Sequence, residues 1–314
     1  MTPGPSNHDP LKDALTRSLI FVSGKGGVGK TCVSQAIARA LSKQPSGRGK
    51  TTKRVLWVTF EDPFRPAGEL KEISPNFFEL NCEAQTAFEE YTSMKIGIPT
   101  LTRILVQNSL VRYLAKAAPG IHELVLLGKV WYERTRWDHV VCDMPSTGYG
   151  LAMFQSTSNF ADLFRGGPIH SDAESMLETF RDPQECSQLI VSLPEEMPLR
   201  ESIDLQAFLL KLFPANTPAF LVNRRFPHPP ETLQNDSSGV SDQASPLASS
   251  PIEYAERRAK LEAFNLRIWR EVGLGFSELG YIPPRPNAPT EDRIPEGIVE
   301  ALAEELIRKE VFTK

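Results

Sequence analysis

Long apolar runs are missing from this 314-residue chain. None approaches the ~18 consecutive apolar residues of a membrane-spanning helix, so stable membrane insertion is not expected. Cysteine is scarce. Cys32, Cys82, Cys142 and Cys186 stand singly, with no C-x-x-C pair. A zinc clasp or a local redox pair therefore has no support, and reduced thiols in a cytoplasmic protein are expected. Cys32 and Cys142 read as small buried fillers. Positive charge is not in excess: 35 Lys and Arg against 39 Asp and Glu leave a net charge of −4, which argues against nucleic acid as a partner. The opening MTPGPSNHDPLKDALTRS has no apolar signal core, and residues 1–17 read as a disordered lead-in. What remains is 40% hydrophobic, enough for a large core.

Into that background falls one segment with a sharp meaning. Gly24-Lys25-Gly26-Gly27-Val28-Gly29-Lys30-Thr31-Cys32 contains G-x-x-x-x-G-K-[ST] without a mismatch. The apolar stretch Leu19-Ile20-Phe21-Val22 precedes it, and Val33, Ile37, Ala38 and Leu41 follow at helical spacing. Strand, glycine loop and helix in that order form a phosphate-binding loop. Glycines let backbone N–H groups converge on one point, and the helix start adds its dipole. Lys30 is expected to reach the β/γ-phosphates of a nucleoside triphosphate, and the Thr31 hydroxyl to ligate Mg²⁺. Lys25 is a second lysine inside the loop, where a neutral residue is usual.

Five apolar runs, 19–23, 55–60, 139–143, 188–193 and 219–223, read as buried parallel strands with helices between them. The fold class is α/β, a doubly wound, mostly parallel sheet carrying a helical subdomain. Residues 18–314 read as one domain. The helical subdomain comes mainly from 64–135, with a short strand-like break at Phe77–Cys82, and from 150–181. Residues 227–251 read as a flexible loop, being rich in Pro, Ser, Asp and Gln. A charged helix over about 252–271 and a helix within 295–312 follow. The latter has Ile298, Leu302 and Leu306 on one face and Glu300, Glu304 and Glu305 on the other. That acidic face points to packing rather than membrane targeting.

Two strand ends supply carboxylates to the crevice shared with the loop. Asp143 closes an apolar strand and is assigned to the Mg²⁺ shell, through water or Thr31; a turn aspartate is the alternative. Asp62, in Glu61-Asp62-Pro63, is placed to orient or deprotonate the attacking water. Glu61 competes for that role, and Asp-Pro also commonly starts a turn. Thr147 and Gly148 follow Asp143 as a second switch, Gly148 letting the backbone approach the γ-phosphate. Asn223 ends another strand beside Arg224 and offers both donor and acceptor to an adenine edge, although asparagine is also a turn residue.

These pieces, in this order, resemble the ArsA/tail-anchored-protein-targeting (anion-transporting) ATPase family, within the deviant Walker A class and nearest its bacterial-type branch. DMPSTGYGL (143–151) is similar to the family's second switch. FELNCEAQTAFEEY (78–91), PGIHELVLLGKV (119–130), VSLPEEMPLRES (191–202) and LVNR (221–224) are similar to its other signatures. The resemblance spans roughly 18–312 and implies an ATP-hydrolysing, Mg²⁺-dependent dimer, homodimeric or formed with a related ATPase, that couples its nucleotide state to a client or partner protein. It implies that Lys25 reaches the nucleotide of the facing subunit. Catalysis would then rest on Asp62, Lys25 and Lys30. Three departures stand out: Phe64-Arg65 where the family's first switch often has Ala-His, Tyr149 for the second-switch His, and no zinc-clasping cysteine pair. The first two leave open a nucleotide-gated binding module with negligible turnover; a partition-type positioning ATPase is a further alternative. Met94, Met153 and Met176 with Phe88, Phe154, Phe160 and Phe164 form either ordinary core or a client groove.

Overall fold

In the computed structural model the described residues are 9–46, 51–96, 120–163, 168–227, 251–271, 273, 275–283 and 295–312. Most of the expected 227–251 loop and residues 97–119 of the helical region lie outside them.

The five apolar runs become strands β1 (Leu19–Ser23), β2 (Val55–Phe60), β5 (His139–Asp143), β6 (Cys186–Ser192) and β7 (Ala219–Arg225). Three more join them: β3 (Leu70–Ser74), β4 (Phe77–Cys82) and β8 (Ser277–Gly280). The order is β3-β4-β2-β5-β1-β6-β7-β8, with only β3 antiparallel to its neighbour. Within 64–135 the described residues hold β3 and β4 besides two helices, Ala84–Ile96 and Ile121–Glu133. The strand-like break expected at Phe77–Cys82 is a full parallel partner of β2, pairing Val55 with Phe77 through Phe60 with Cys82. The first helix, α1 (Pro10–Ala14), is a correction, because the lead-in was expected to be disordered. Asp9 caps it by accepting from the Leu11 N–H at 3.0 Å, and Leu11 and Leu15 are buried.

Side chains of β1 alternate between two cores, as the strand period of two demands. Leu19 and Phe21 face α5 (Thr147–Leu163), α6 (Pro168–Arg181) and α7 (Glu196–Leu212). Phe21 meets Phe154 and Phe180 edge-on, each at 5.1 Å. Ile20 and Val22 face α1, α2 (Lys30–Ser42) and α9 (Glu296–Arg308). The C-terminal helix packs as its acidic face suggested. Glu300 pairs with Arg39 and with Lys43 (2.5 Å), while Val299, Leu302 and Leu306 are buried. The remaining helices are α3 (Ala84–Ile96), α4 (Ile121–Glu133) and α8 (Pro251–Glu271).

His139, at the start of β5, is buried with Nδ1 2.7 Å from the Arg17 carbonyl and Nε2 3.1 Å from the Lys53 ammonium. The carbonyl requires Nδ1–H to donate and the ammonium requires Nε2 to accept, so the ring is neutral. Burial, reinforced by Lys53, lowers its pKa from 6.5 to about 4. The unfolded chain therefore binds a proton below pH 6.5 that the folded chain refuses until about pH 4. This contribution is fully present above pH 6.5 and is lost as pH falls to about 4, with a ceiling of ~3 kcal/mol. Urea unfolding between pH 7 and pH 4.5 should show that slope in the wild type and a flatter one in His139→Gln. Equal slopes would refute the assignment.

Candidate functional site

The loop between β1 and α2 sits at the carboxyl edge of the central strands. Three glycines adopt the left-handed backbone that lets it turn: Gly24 (φ 149°), Gly27 (87°) and Gly29 (88°). A Cβ on Gly24 would lie 2.3 Å from the Val191 carbonyl oxygen, and one on Gly29 would lie 2.6 Å from the Asn223 amide nitrogen. Gly29 is the N-cap of α2, with no side-chain cap and no acidic residue in the first turn. The first N–H groups of this helix are thus left for an anion.

The two loop lysines are placed differently. Lys30 is buried, its Nζ donating to the Lys25 carbonyl at 3.0 Å. Burial lowers its pKa, and Asp143 works against that shift. Lys25 stands partly exposed, its Nζ 2.6 Å from Glu201 Oε1 on α7.

Asp143 ends β5. Burial raises its pKa to about 6, opposed by the Thr31 hydroxyl, the Lys30 ammonium and the Arg65 guanidinium. The structure therefore brings Lys30, Thr31 and Asp143 together. Asp143 Oδ1 and Thr147 Oγ1 are both shut from solvent without a hydrogen-bond partner among the described residues. A carboxyl with a raised folded pKa adds stability below pH 3.8 and loses it as pH rises through about 6, so the ionised form is uncomfortable at pH 7. Gly148, in the first turn of α5, has open space where a Cβ would stand.

Asp62 lies just past β2. Its Oδ1 accepts from the Phe64 N–H at 3.0 Å and its Oδ2 from Arg65 Nε at 3.2 Å. Arg65 also pairs with buried Glu79, and its guanidinium lies over Trp57 at 4.6 Å. Trp57 Nε1 in turn donates to Ser34 of α2 at 3.0 Å. Asn81 ties the segment down, donating to the carbonyls of Asp62 and Arg65 and accepting from the Asp62 N–H. Glu61 takes a left-handed backbone (φ 49°) and contacts His122 of α4 at 2.9 Å. Asn223 donates from its amide to the Val28 carbonyl at 2.9 Å and accepts from the Arg224 N–H. The Arg224 guanidinium approaches the space beside Gly29. A loop, two strand-end carboxylates and a buried asparagine thus share the carboxyl edge of the parallel strands β2, β5, β1, β6 and β7.

The family model described as "Anion-transporting ATPase" matches residues 17–165, from the strand before the loop through α5. That stretch of the chain carries the sequence of the anion-transporting ATPase family. The chain is an ATPase by that likeness and by those to the relatives that follow. It is 28% identical over 244 residues to ATPase BagA of Mycobacterium tuberculosis, covering 71% of this chain and 70% of that one. It is 27% identical over 200 residues to ATPase get3 of Schizosaccharomyces japonicus, covering 57% and 58%. A third relative is the ATPase ASNA1 homolog of Plasmodium berghei, 25% identical over 239 residues, covering 63% and 60%.

A divalent cation suits the acidic corner of this ATPase: it would relieve an ionised carboxylate whose Oδ1 has no partner, beside a hydroxyl at the helix start. No helix among the described residues is long and apolar enough to cross a membrane. Of the apolar candidates, Met153, Phe154 and Phe160 are core, while Phe88, Met94 and Met176 line a cavity of about 560 Å³ between α3, α4 and α6. Phe164 lies outside the described residues. Sequence reasoning missed Glu79 and Trp57, which stand within strands: Trp57 carries no motif, and Glu79 falls inside the passage 78–91 without a role of its own. Glu201 and Arg65 had signals: the first ends the family passage 191–202, the second breaks the first-switch pattern.

Proposed function

We propose that this ATPase binds Mg-ATP in the crevice, hydrolyses it as a dimer, and passes the nucleotide state to a client protein through its helical subdomain. The observation that carries the reading is the division of labour between Lys30 and Lys25. One is turned into the loop; the other is held at its rim by a half-exposed carboxylate. Lys30, the loop N–H groups and the start of α2 hold the phosphates. Thr31 and Asp143 would hold Mg²⁺, which would supply positive charge to offset that of the phosphates. Asp62 orients the attacking water. Asn223 and Arg224 lie on the base side. Lys25 leaves Glu201 and serves the nucleotide of the facing subunit, so that turnover requires two copies or a related partner.

Helices α3 to α6 form the part that responds, with Glu61 and His122 joining the end of β2 to the start of α4. The client is a protein, and the site of action is the cytoplasm. Titration calorimetry tests the foundation. Wild type should bind Mg-ATP, and Lys30→Ala should bind it at least ~10-fold more weakly, having lost a phosphate-facing charge. No heat of binding in the wild type would end the reading.

A further inference from the structure

Four of the large apolar side chains left exposed in this protein lie on one helix. Tyr254, Leu261, Phe264 and Ile268 of α8 are 53%, 61%, 53% and 45% exposed. The opposite face is locked to the body. Trp269 packs against Phe220 at 5.0 Å, Glu262 accepts from Arg225 at 2.6 Å, and Asn265 donates to the Pro194 carbonyl at 3.1 Å. The helix therefore cannot roll to hide its outer residues. With Arg257 and Glu271, also exposed, they follow one another at alternating intervals of three and four. That is the spacing of a seam made to face a second helix, not of scattered surface residues.

We infer that the outer face of α8 is an interface for a second copy of this chain, the two helices running antiparallel across a two-fold axis. The occupant rests on the proposed two-copy ATPase; the surface rests on the seam itself. Antiparallel pairing sets Leu261 against Phe264 of the second copy at the centre. The Arg257 stem lies against Ile268, and the Tyr254 hydroxyl is placed to donate to Glu271 at each end. Exposed Glu253 then stands beside Arg267 of the other copy. A parallel pair would instead put Arg257 against Arg257 and Glu271 against Glu271, two like-charge contacts. The antiparallel pair has its own cost in Lys260 facing Lys260, both at the solvated margin. The sequence of the seam is thus self-complementary in one direction, as a two-fold interface demands.

The face is also continuous with the loop. Glu195, at the start of α7, pairs with Arg258 of α8 at 3.1 Å. Met197 of α7 is 57% exposed, and Glu201 on the same helix holds Lys25. One surface therefore runs from the phosphate loop across α7 to α8, and a copy seated on it approaches the Lys25 side of the crevice.

Sedimentation of the full chain over a concentration series, with and without Mg-ATP, tests this. Wild type should self-associate, and Leu261→Glu with Phe264→Glu should weaken the association on the order of 100-fold, with circular dichroism and Mg-ATP binding unchanged. Orientation is read by cross-linking. The double variant Leu261→Cys/Phe264→Cys should form a covalent dimer under mild oxidation, and neither single variant should. Association that survives the glutamate pair overturns the surface while leaving a dimeric ATPase standing. A wild type that binds Mg-ATP yet stays monomeric overturns the inference too. So does a glutamate pair that self-associates normally but no longer binds anionic vesicles. Failure to bind Mg-ATP alongside intact α8-dependent association would overturn the proposed function and not this interface.

Discussion

Lys25→Ala is expected to keep Mg-ATP binding within about twofold of wild type and to lower turnover by ~10³ or more. The magnitude is that of a missing cationic finger on a transferring phosphoryl group. The binding expectation follows from position. In the proposed site the phosphates would face the loop N–H groups and buried Lys30, whereas Lys25 projects to the rim, where Glu201 holds it at 2.6 Å. That ion pair is more than a third exposed on both sides, so its net worth is ~0–1 kcal/mol, and exchanging Glu201 for a phosphate in the facing subunit costs little. Glu201→Gln should accordingly leave turnover intact or raise it modestly. Parallel calorimetry and steady-state hydrolysis decide the matter. If Lys25→Ala and Lys30→Ala lose binding equally, the two lysines share one role and the division between them is wrong.

The sequence made the central architecture legible where physics leaves a strong trace. Strands β1, β2, β5, β6 and β7 are buried on both faces, and a strand covered twice must be apolar almost throughout. Strands β3 and β8 escaped, and β4 was read only as a short strand-like break, for three separate reasons. β4 carries buried Glu79 and Asn81, polar residues that interrupt its apolar run because the chain itself satisfies them: Glu79 by Arg65, Asn81 by the Asp62 and Arg65 backbone. β3 (LKEIS) lies at the sheet edge, half exposed and charged, as edges commonly are. β8 has four residues, SELG, too short for a period to show. Helix α1 was hidden by its setting among prolines, although Asp9 before Pro10 is a recognisable cap.

The candidate site was readable to the same degree and for a similar reason. A phosphate loop needs glycine where a side chain would collide, and Gly24 and Gly29 both meet that condition. Asp143 could be placed at the carboxyl edge of the sheet from its strand end alone. What could not be read was the occupancy of side chains by one another. Nothing local in Glu61-Asp62-Pro63 says that Glu61 turns to His122 while Asp62 turns to Arg65, because both partners come from the tertiary fold or from a rotamer choice it fixes.

Asp62→Asn is expected to reduce turnover by ~10²–10⁴, the range for losing a positioned acid–base group, while ATP still binds. Asparagine keeps the shape and the Oδ1 acceptor for the Phe64 N–H, so a fall in hydrolysis with an unchanged melting temperature isolates the charge. Arg65 adds a sharper test. Its guanidinium is braced by Glu79 and Trp57 and fixes the Asp62 carboxylate from one side, which makes it a positioning residue rather than a group that touches the phosphate. Arg65→Ala should lower kcat about 10-fold with KM for ATP little changed, and should have no further effect in the Asp62→Asn background, since residues acting through one another are not additive. Full additivity would mean that Arg65 supports the fold of the switch and not the aspartate. If instead Arg65→Ala speeds hydrolysis, the guanidinium withholds Asp62 from water, and the Phe64-Arg65 departure is a brake on turnover in this branch of the family.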